Sequence, residues 1–297
     1  MVRIASAVAA SALLVGALSA CGSSAKKSAD AVPGAAGAAN SAGAAAAGGG
    51  VGAKADLLAA AAVMQKAASA KIAVSTAGDK SDQGSGLYSW GAQPELDLSE
   101  QQSGQAMKVR MVDNVMYLGV DDQQAAQLGG KHWLKLDGNG PAGSLNGNFQ
   151  ALAMMINPSV QLAAAAQAGQ LSTIGSESVG GVSTKHFQSV MPTATLVAAV
   201  PNLQDSDRKA VLAALGQGGS TITSDFWLNA QHQLVQQKVV GSNGSSASPA
   251  AGAINATTTQ YSDFGVKVSV TAPPASDQVA PADSLKLLGA MGGVRQG

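Results

Sequence analysis

The sequence predicts a single α+β domain: a large antiparallel sheet with helices packed on one side. Three observations predict it. Short segments with apolar residues at every second position, separated by Gly, Pro and Asn turns, recur between residues 70 and 270. Runs of Ala, Leu and Met at helical spacing precede these segments and interrupt them. No second Ala/Gly/Ser tract follows Lys54, so nothing divides the 297-residue chain into two folded units.

The N-terminus reads differently from the rest. Arg3 is followed by an apolar run from Ile4 to Ala17 and then by Leu18, Ser19, Ala20 and Cys21. A charged start, a short apolar stretch and small residues make a secretory signal, here residues 1–20. The run is shorter than the ~20 residues a membrane-spanning helix needs. Leu-Ser-Ala-Cys resembles the lipobox of bacterial lipoproteins, whose cysteine receives a diacylglycerol and becomes the first mature residue. That resemblance implies lipid attachment at Cys21, and two acyl chains suffice for stable anchoring. Residues 21–54 are mostly Ala, Gly and Ser, with little to bury, and are expected to form a disordered tether. Its reach is roughly 30 Å.

The folded domain is expected over residues 55–275, with 276–297 as a loop-like tail. Asp56 is a candidate N-cap for a helix carrying Leu57, Leu58, Ala61, Met64 and Ala68. Strands are expected at 72–76, 86–90 and 95–99. The clearest unit is a hairpin in which Asp113-Asn114 turns between 105–112 and 115–120. That loop length pairs Met111 with Met116. It places Met107, Val109, Met111, Met116, Leu118 and Val120 on one face and Lys108, Arg110 and Tyr117 on a wet one. Residues 132–136 add a strand. Phe149, Leu152, Met155 and Ile156 form a helical stripe ended by Asn157-Pro158, and Val160 and Leu162 begin another helix. Strands at 184–190, 221–228, 234–240 and 256–264 follow, with helices at 193–200 and 205–215 and a last strand through Val266, Val268 and Val270.

Composition narrows the function. Lys+Arg and Asp+Glu are equal at 18, so there is no basic surplus for nucleic acid. With Cys21 acylated, no thiol remains for disulfides or metal. His132, His186 and His232 are scattered, without metal-ligand spacing, and no metal or other cofactor is expected. Asp113, Asp121 and Asp122 read as solvated turn carboxylates. No Gly-x-Ser-x-Gly elbow or phosphate-binding loop occurs, so no catalytic residue is assigned and an enzyme is not expected. What remains is a sheet face bearing Met107, Met111 and Met116, facing helices with Met154 and Met155. Methionine re-packs easily, so this composition suits either an adaptable apolar cavity or an ordinary core rich in Met.

Several segments resemble the LppX/LprG-type lipoproteins of actinobacteria, which belong with the LolA/LolB-like lipid carriers. They are Val112–Leu118, Lys131–Leu136, Gly175–His186 (with Glu177, Thr184 and His186), Phe226–Lys238 and Tyr261–Gly265. The resemblance spans about residues 56–273. It implies a curved half-barrel sheet with helices on its concave face and an apolar cavity for the acyl chains of a lipid or glycolipid. On that reading the candidate lining residues are Met107, Val109, Met111, Met116, Leu118, Leu134, Leu136, Leu152, Met155, Ile156, Leu196 and Leu212. The implied setting is the extracytoplasmic face of the cell membrane. The same fold with a packed core would instead be an interaction or signalling module for an envelope protein.

Overall fold

Alternating segments can satisfy their backbone groups only by pairing, and here they pair into one open antiparallel sheet of eleven strands. The computed structural model describes residues 45–77, 82–102, 105–136, 156–200, 205, 208, 209, 212, 220–242 and 254–279. In chain order these form α1 (Ala45–Ala67), β1 (Ser69–Thr76), β2 (Gln83–Ser89), β3 (Glu95–Gln102), β4 (Gln105–Val112), β5 (Val115–Gly119), α2 (Asp122–Gln127) and β6 (Trp133–Leu136). Then come α3 (Pro158–Ala168), β7 (Gln170–Val179), β8 (Val182–Pro192), α4 (Thr193–Ala199), β9 (Thr221–Leu228), β10 (Leu234–Ser242) and β11 (Ile254–Ser262). The spatial order is β6-β5-β4-β3-β2-β1-β11-β10-β9-β8-β7, so a long-range β1–β11 pairing joins two meanders. The expected α+β class and wide antiparallel sheet are what the chain adopts.

The β4–β5 hairpin has the expected register, with Met111 opposite Met116 and both Asp113 and Asn114 at positive φ. Positive φ at both turn residues matches the right-handed twist of the flanking strands. Between β2 and β3 the chains approach so closely that a Cβ on Gly86 would sit 2.0 Å from the Asp97 carbonyl oxygen. Only glycine fits there.

Helices cover one face, here called inner. α1 and α3 pack on each other, α1 also lies on β7, and α3 and α4 lie on β8. Leu57, Ala60 and Met64 of α1, Leu162 and Ala165 of α3, and Leu196 and Val197 of α4 meet Phe187 and Phe226 in the main core. Phe187 and Phe226 are directly opposed across β8 and β9. Asn157 caps α3 by accepting from the backbone N–H groups of Ser159 and Val160, and Pro158 occupies the first turn.

Several expectations need correction. The tether reading of 21–54 ends too late: α1 begins at Ala45, and Ala53 is 1% exposed in the core. Small side chains let α1 approach α3 closely, and that packing outweighs the low helix propensity of Gly48–Gly50 and Gly52. Asp56 is therefore inside the helix rather than its cap. Its carboxylate lies 3.2 Å from His232 Nε2 and 3.3 Å from Lys185 Nζ, tying α1 to the sheet. Asn157-Pro158 starts a helix instead of only ending one, because proline lacks just the N–H that a first turn leaves unpaired. Asp121 is more than a turn carboxylate, since it accepts from Gln124 N and caps α2. Strand β7 was not expected. It is a largely exposed edge strand, half of it Gly, Ser and Thr, and so lacks the alternation that burial imposes.

The wet-face expectation holds for Lys108, which is exposed, but fails for Arg110 and Tyr117. Val266, Val268 and Val270 are not a strand but part of an extended strap that crosses the outer face. Gly265 N donates to Ser69 O on β1, and Val270 N to Glu95 Oε2 on β3. Val270 is buried with Val112, Tyr117 and Trp133. Arg110, paired with Asp97 at 3.3 Å, stacks 4.9 Å above the Trp133 ring. The strap reaches the β6 edge, where Val279 N donates to Trp133 O at 2.8 Å.

The residues that carry the Gly175–His186 resemblance form one outer-face network on β7–β9. His186 ring nitrogens lie 2.8 Å from Glu177 Oε1 and 3.0 Å from Asp225 Oδ1. Its ring stacks on Trp227 at 4.2 Å, and Trp227 Nε1 donates to Glu177 Oε1 at 2.6 Å. Gln188 donates to Asp225, and Thr184 Oγ1 donates to the Glu177 carbonyl. Removing the ring leaves a nearly buried Asp225 short of a partner. His186→Ala is expected to cost about 1–3 kcal/mol and to shift Trp227 fluorescence, both read in a urea titration. An unchanged midpoint would make the network decorative.

Candidate functional site

The inner face over β3–β6 is built by register. One ladder row runs Ala70, Tyr88, Leu96, Met111, Met116, Leu136 across β1–β6. The next runs Tyr261, Ile72, Gly86, Leu98, Val109, Leu118, Leu134 from β11 across β1–β6. Side chains on one face of a strand recur every second residue, so these rows are adjacent and form a continuous apolar strip. At about 4.8 Å per strand the longer row spans roughly 29 Å.

The strip changes character along its length. Over β4–β6 it holds only Met, Leu and Val. Met116, Leu118, Leu134 and Leu136 form a cluster of their own with Val279, flanked by Val109, Val120 and Leu128. Towards β11 and β10 it carries polar groups. Tyr261 Oη donates to Gln237 Oε1 at 3.5 Å, and Gln237 in turn donates to Gln161 of α3. Burial pushes the Tyr88 hydroxyl far above its ordinary pKa, helped by the neighbouring Tyr261, and burial raises Tyr261 likewise. Both phenols are therefore neutral hydrogen-bonding groups. Ser189 and Ser224, paired across β8 and β9, continue the polar zone, and both are buried.

The expected lining residues divide three ways. Met111 and Leu196 lie in the main core, with Val109, Ile156 and Leu212 packed against it. Met116, Leu118, Leu134 and Leu136 make the second cluster, while Met107 is half-buried further along β4. Cys21, Leu152 and Met155 lie outside the described residues. Sequence reasoning missed Leu96, Leu98, Tyr88 and Ile72, which share the rows. The period-two pattern held them all, but their common face follows only from knowing which strand neighbours which. It also missed Val279, which was assigned to the tail.

An apolar strip of this kind can take hydrocarbon from water, and it offers no nucleophile. Among the described residues no cluster of His, Cys, Asp or Glu could hold a metal ion.

Solved structures similar to this chain include LprF from Mycobacterium bovis, at 14% identity and TM-score 0.45, covering 75% of this chain and 97% of that one. The Mycobacterium tuberculosis lipoprotein LppX is another, at 15% identity and TM-score 0.42, covering 72% and 98%. These two are of the LppX/LprG type that the sequence resembles. A 31.2 kDa protein encoded in the rplA-rplJ intergenic region of Streptomyces griseus is 29% identical over 192 residues, or 63% of this chain. The match spans 61% of the length of that relative. No family model matches the chain.

Proposed function

We propose that this chain is a lipoprotein, anchored through Cys21 at the extracytoplasmic face of the cell membrane, that binds the acyl part of an amphiphile against the inner face of β3–β6. The observation that carries the reading is the unbroken strip of Leu, Met and Val on neighbouring strands. Hydrocarbon taken from water is stabilised by about 0.8 kcal/mol per buried methylene, so a twelve-carbon chain supplies about 10 kcal/mol before ordering costs. Across β3–β6 the rows span roughly 14 Å, about half of a bilayer core ~30 Å thick and so about the reach of the acyl chains of one leaflet. Methionines at positions 107, 111 and 116 adapt to chains of different shape. The neutral Tyr88, Tyr261 and Gln237 groups suit an uncharged polar head at the other end.

One observation favours a second reading. Leu134 and Leu136 are 1% and 0% exposed, as in a packed core, which would make the fold an interaction module for an envelope protein. One experiment separates the two. The acylated chain is extracted from membranes in mild detergent, and its bound lipids are identified by native mass spectrometry. A stoichiometric lipid beyond the mass of the N-terminal acyl chains is expected, and Met116→Lys is expected to reduce its occupancy at least tenfold. Protein recovered only lipid-free, and unable to take up a fluorescent undecanoic acid, would leave the packed-core reading.

A further inference from the structure

The outer strap and the inner strip meet at one place. After crossing β1 to β4, the strap turns over the β6 edge through a 3-10 turn, Ala275–Asp277. Gln278 bridges to Trp133 in parallel, and Val279 enters the apolar cluster of Met116, Leu118, Leu134 and Leu136. The strap thus covers an edge strand of only four residues and plugs the end of the strip beside it.

Its fastening is concentrated on two consecutive residues. Asp277 Oδ1 accepts from the His132 backbone N–H at 3.0 Å and lies 2.9 Å from His132 Nδ1. Asp122 Oδ1 of α2 lies 3.2 Å from the other ring nitrogen. Lys131 Nζ donates to the Ser276 carbonyl. Everything else charged around the ring belongs to the same open groove, where Lys108 and Asp121 line the wall with Asp122, His132 and Asp277.

We propose that the strap end, residues 276–279, is a latch closing the β6 edge of the acyl-binding strip, and that His132 is its clasp. This rests on the acyl-binding reading and deepens it by naming what controls access to the site. The physical reason is the proton count. A neutral imidazole has one N–H and serves one carboxylate, whereas the imidazolium donates to both. The hydrogen bond to Asp277, followed by Asp122, raises the His132 pKa above its ordinary value, and the same bond lowers that of Asp277. The signs follow by linkage. The His132 contribution is fully present below the ordinary histidine value and is lost as pH rises through the raised one. The Asp277 contribution is lost as pH falls through its lowered value. The latch is tightest between these limits and loosens above them.

The test uses the full acylated chain in detergent, with wild type, Asp277→Ala and His132→Gln compared by hydrogen–deuterium exchange and by stopped-flow uptake of fluorescent undecanoic acid. Release of the clasp is expected to speed exchange of the Val279 amide by about three- to tenfold and to speed uptake by a similar factor. Wild type is expected to shift part of the way towards the Asp277→Ala rates as pH is raised, after correction for intrinsic exchange, because the His132 backbone N–H and the one remaining ring N–H still donate to Asp277. His132→Gln, which retains an amide donor, is expected to fall between them. Unchanged Val279 exchange in both variants would overturn the clasp. Faster exchange with unchanged uptake would overturn the gating while leaving acyl binding intact. No uptake by any form, wild type included, would overturn the acyl-binding reading and the latch's function with it.

Discussion

Cys21→Ser is expected to move the chain from the membrane pellet to the soluble fraction and to abolish its activity in cells. The hydroxyl of serine cannot replace the thiolate as the nucleophile that receives the diacylglycerol. A chain without its two acyl groups loses the anchoring that a single weak contact cannot supply. Cys21 stands 24 positions before Ala45, where α1 begins, so the stability of the domain from α1 onward is expected to be unchanged. Purified Cys21→Ser protein is therefore expected to bind fluorescent undecanoic acid with wild-type affinity. Metabolic labelling with an alkynyl palmitate and fractionation check the claim. Label retained on the variant, or a variant that still pellets and complements, would show that Cys21 is not the anchor.

The second large effect is on stability. Phe187 and Phe226, each 1% exposed, face one another across β8 and β9 beneath the helices. Phe226→Ala is expected to cost about 3–5 kcal/mol, combining lost transfer energy with the cavity left behind. Closely packed α1 and α3 leave little freedom for collapse around it. Thermal unfolding followed by circular dichroism is the measurement, and a loss below about 1 kcal/mol would mean the helices settle into the gap. Phe226 shares the inner face with Leu134 and Leu136 but lies eight strand pairings away from β6. If the variant stays folded at low temperature, its acyl binding is therefore expected to persist. Met116→Lys gives the opposite pattern, with binding lost and the β8–β9 core intact.

Much of the fold was legible because burial on one face writes period two into a strand. The β4–β5 hairpin shows this best: Asp113-Asn114 set the loop length, the loop set Met111 against Met116, and the register placed Val109, Met111, Met116 and Leu118 on one face. β9 kept its expected bounds, 221–228. β7 was illegible because an edge strand that buries little beyond Leu171 has almost no pattern to write. The strap was misread because Val266, Val268 and Val270 do alternate, but they pair with side chains of the outer face instead of with a ladder.

The candidate site divides in the same way. Sequence by itself determined the apolar face of the β4–β5 hairpin and offered Cys21 as the expected site of lipid attachment. These depend on local spacing and local chemistry. Only the tertiary structure decided that Tyr261 joins the row of Ile72, Leu98, Leu118 and Leu134, since strand order in space is not strand order in sequence where β1 pairs with β11. It alone brought His132 to Asp277, 145 residues apart. Contacts of that range are fixed by loop closure and packing, which leave no periodic trace in the chain. The tail residue Val279 became part of the apolar strip for that reason.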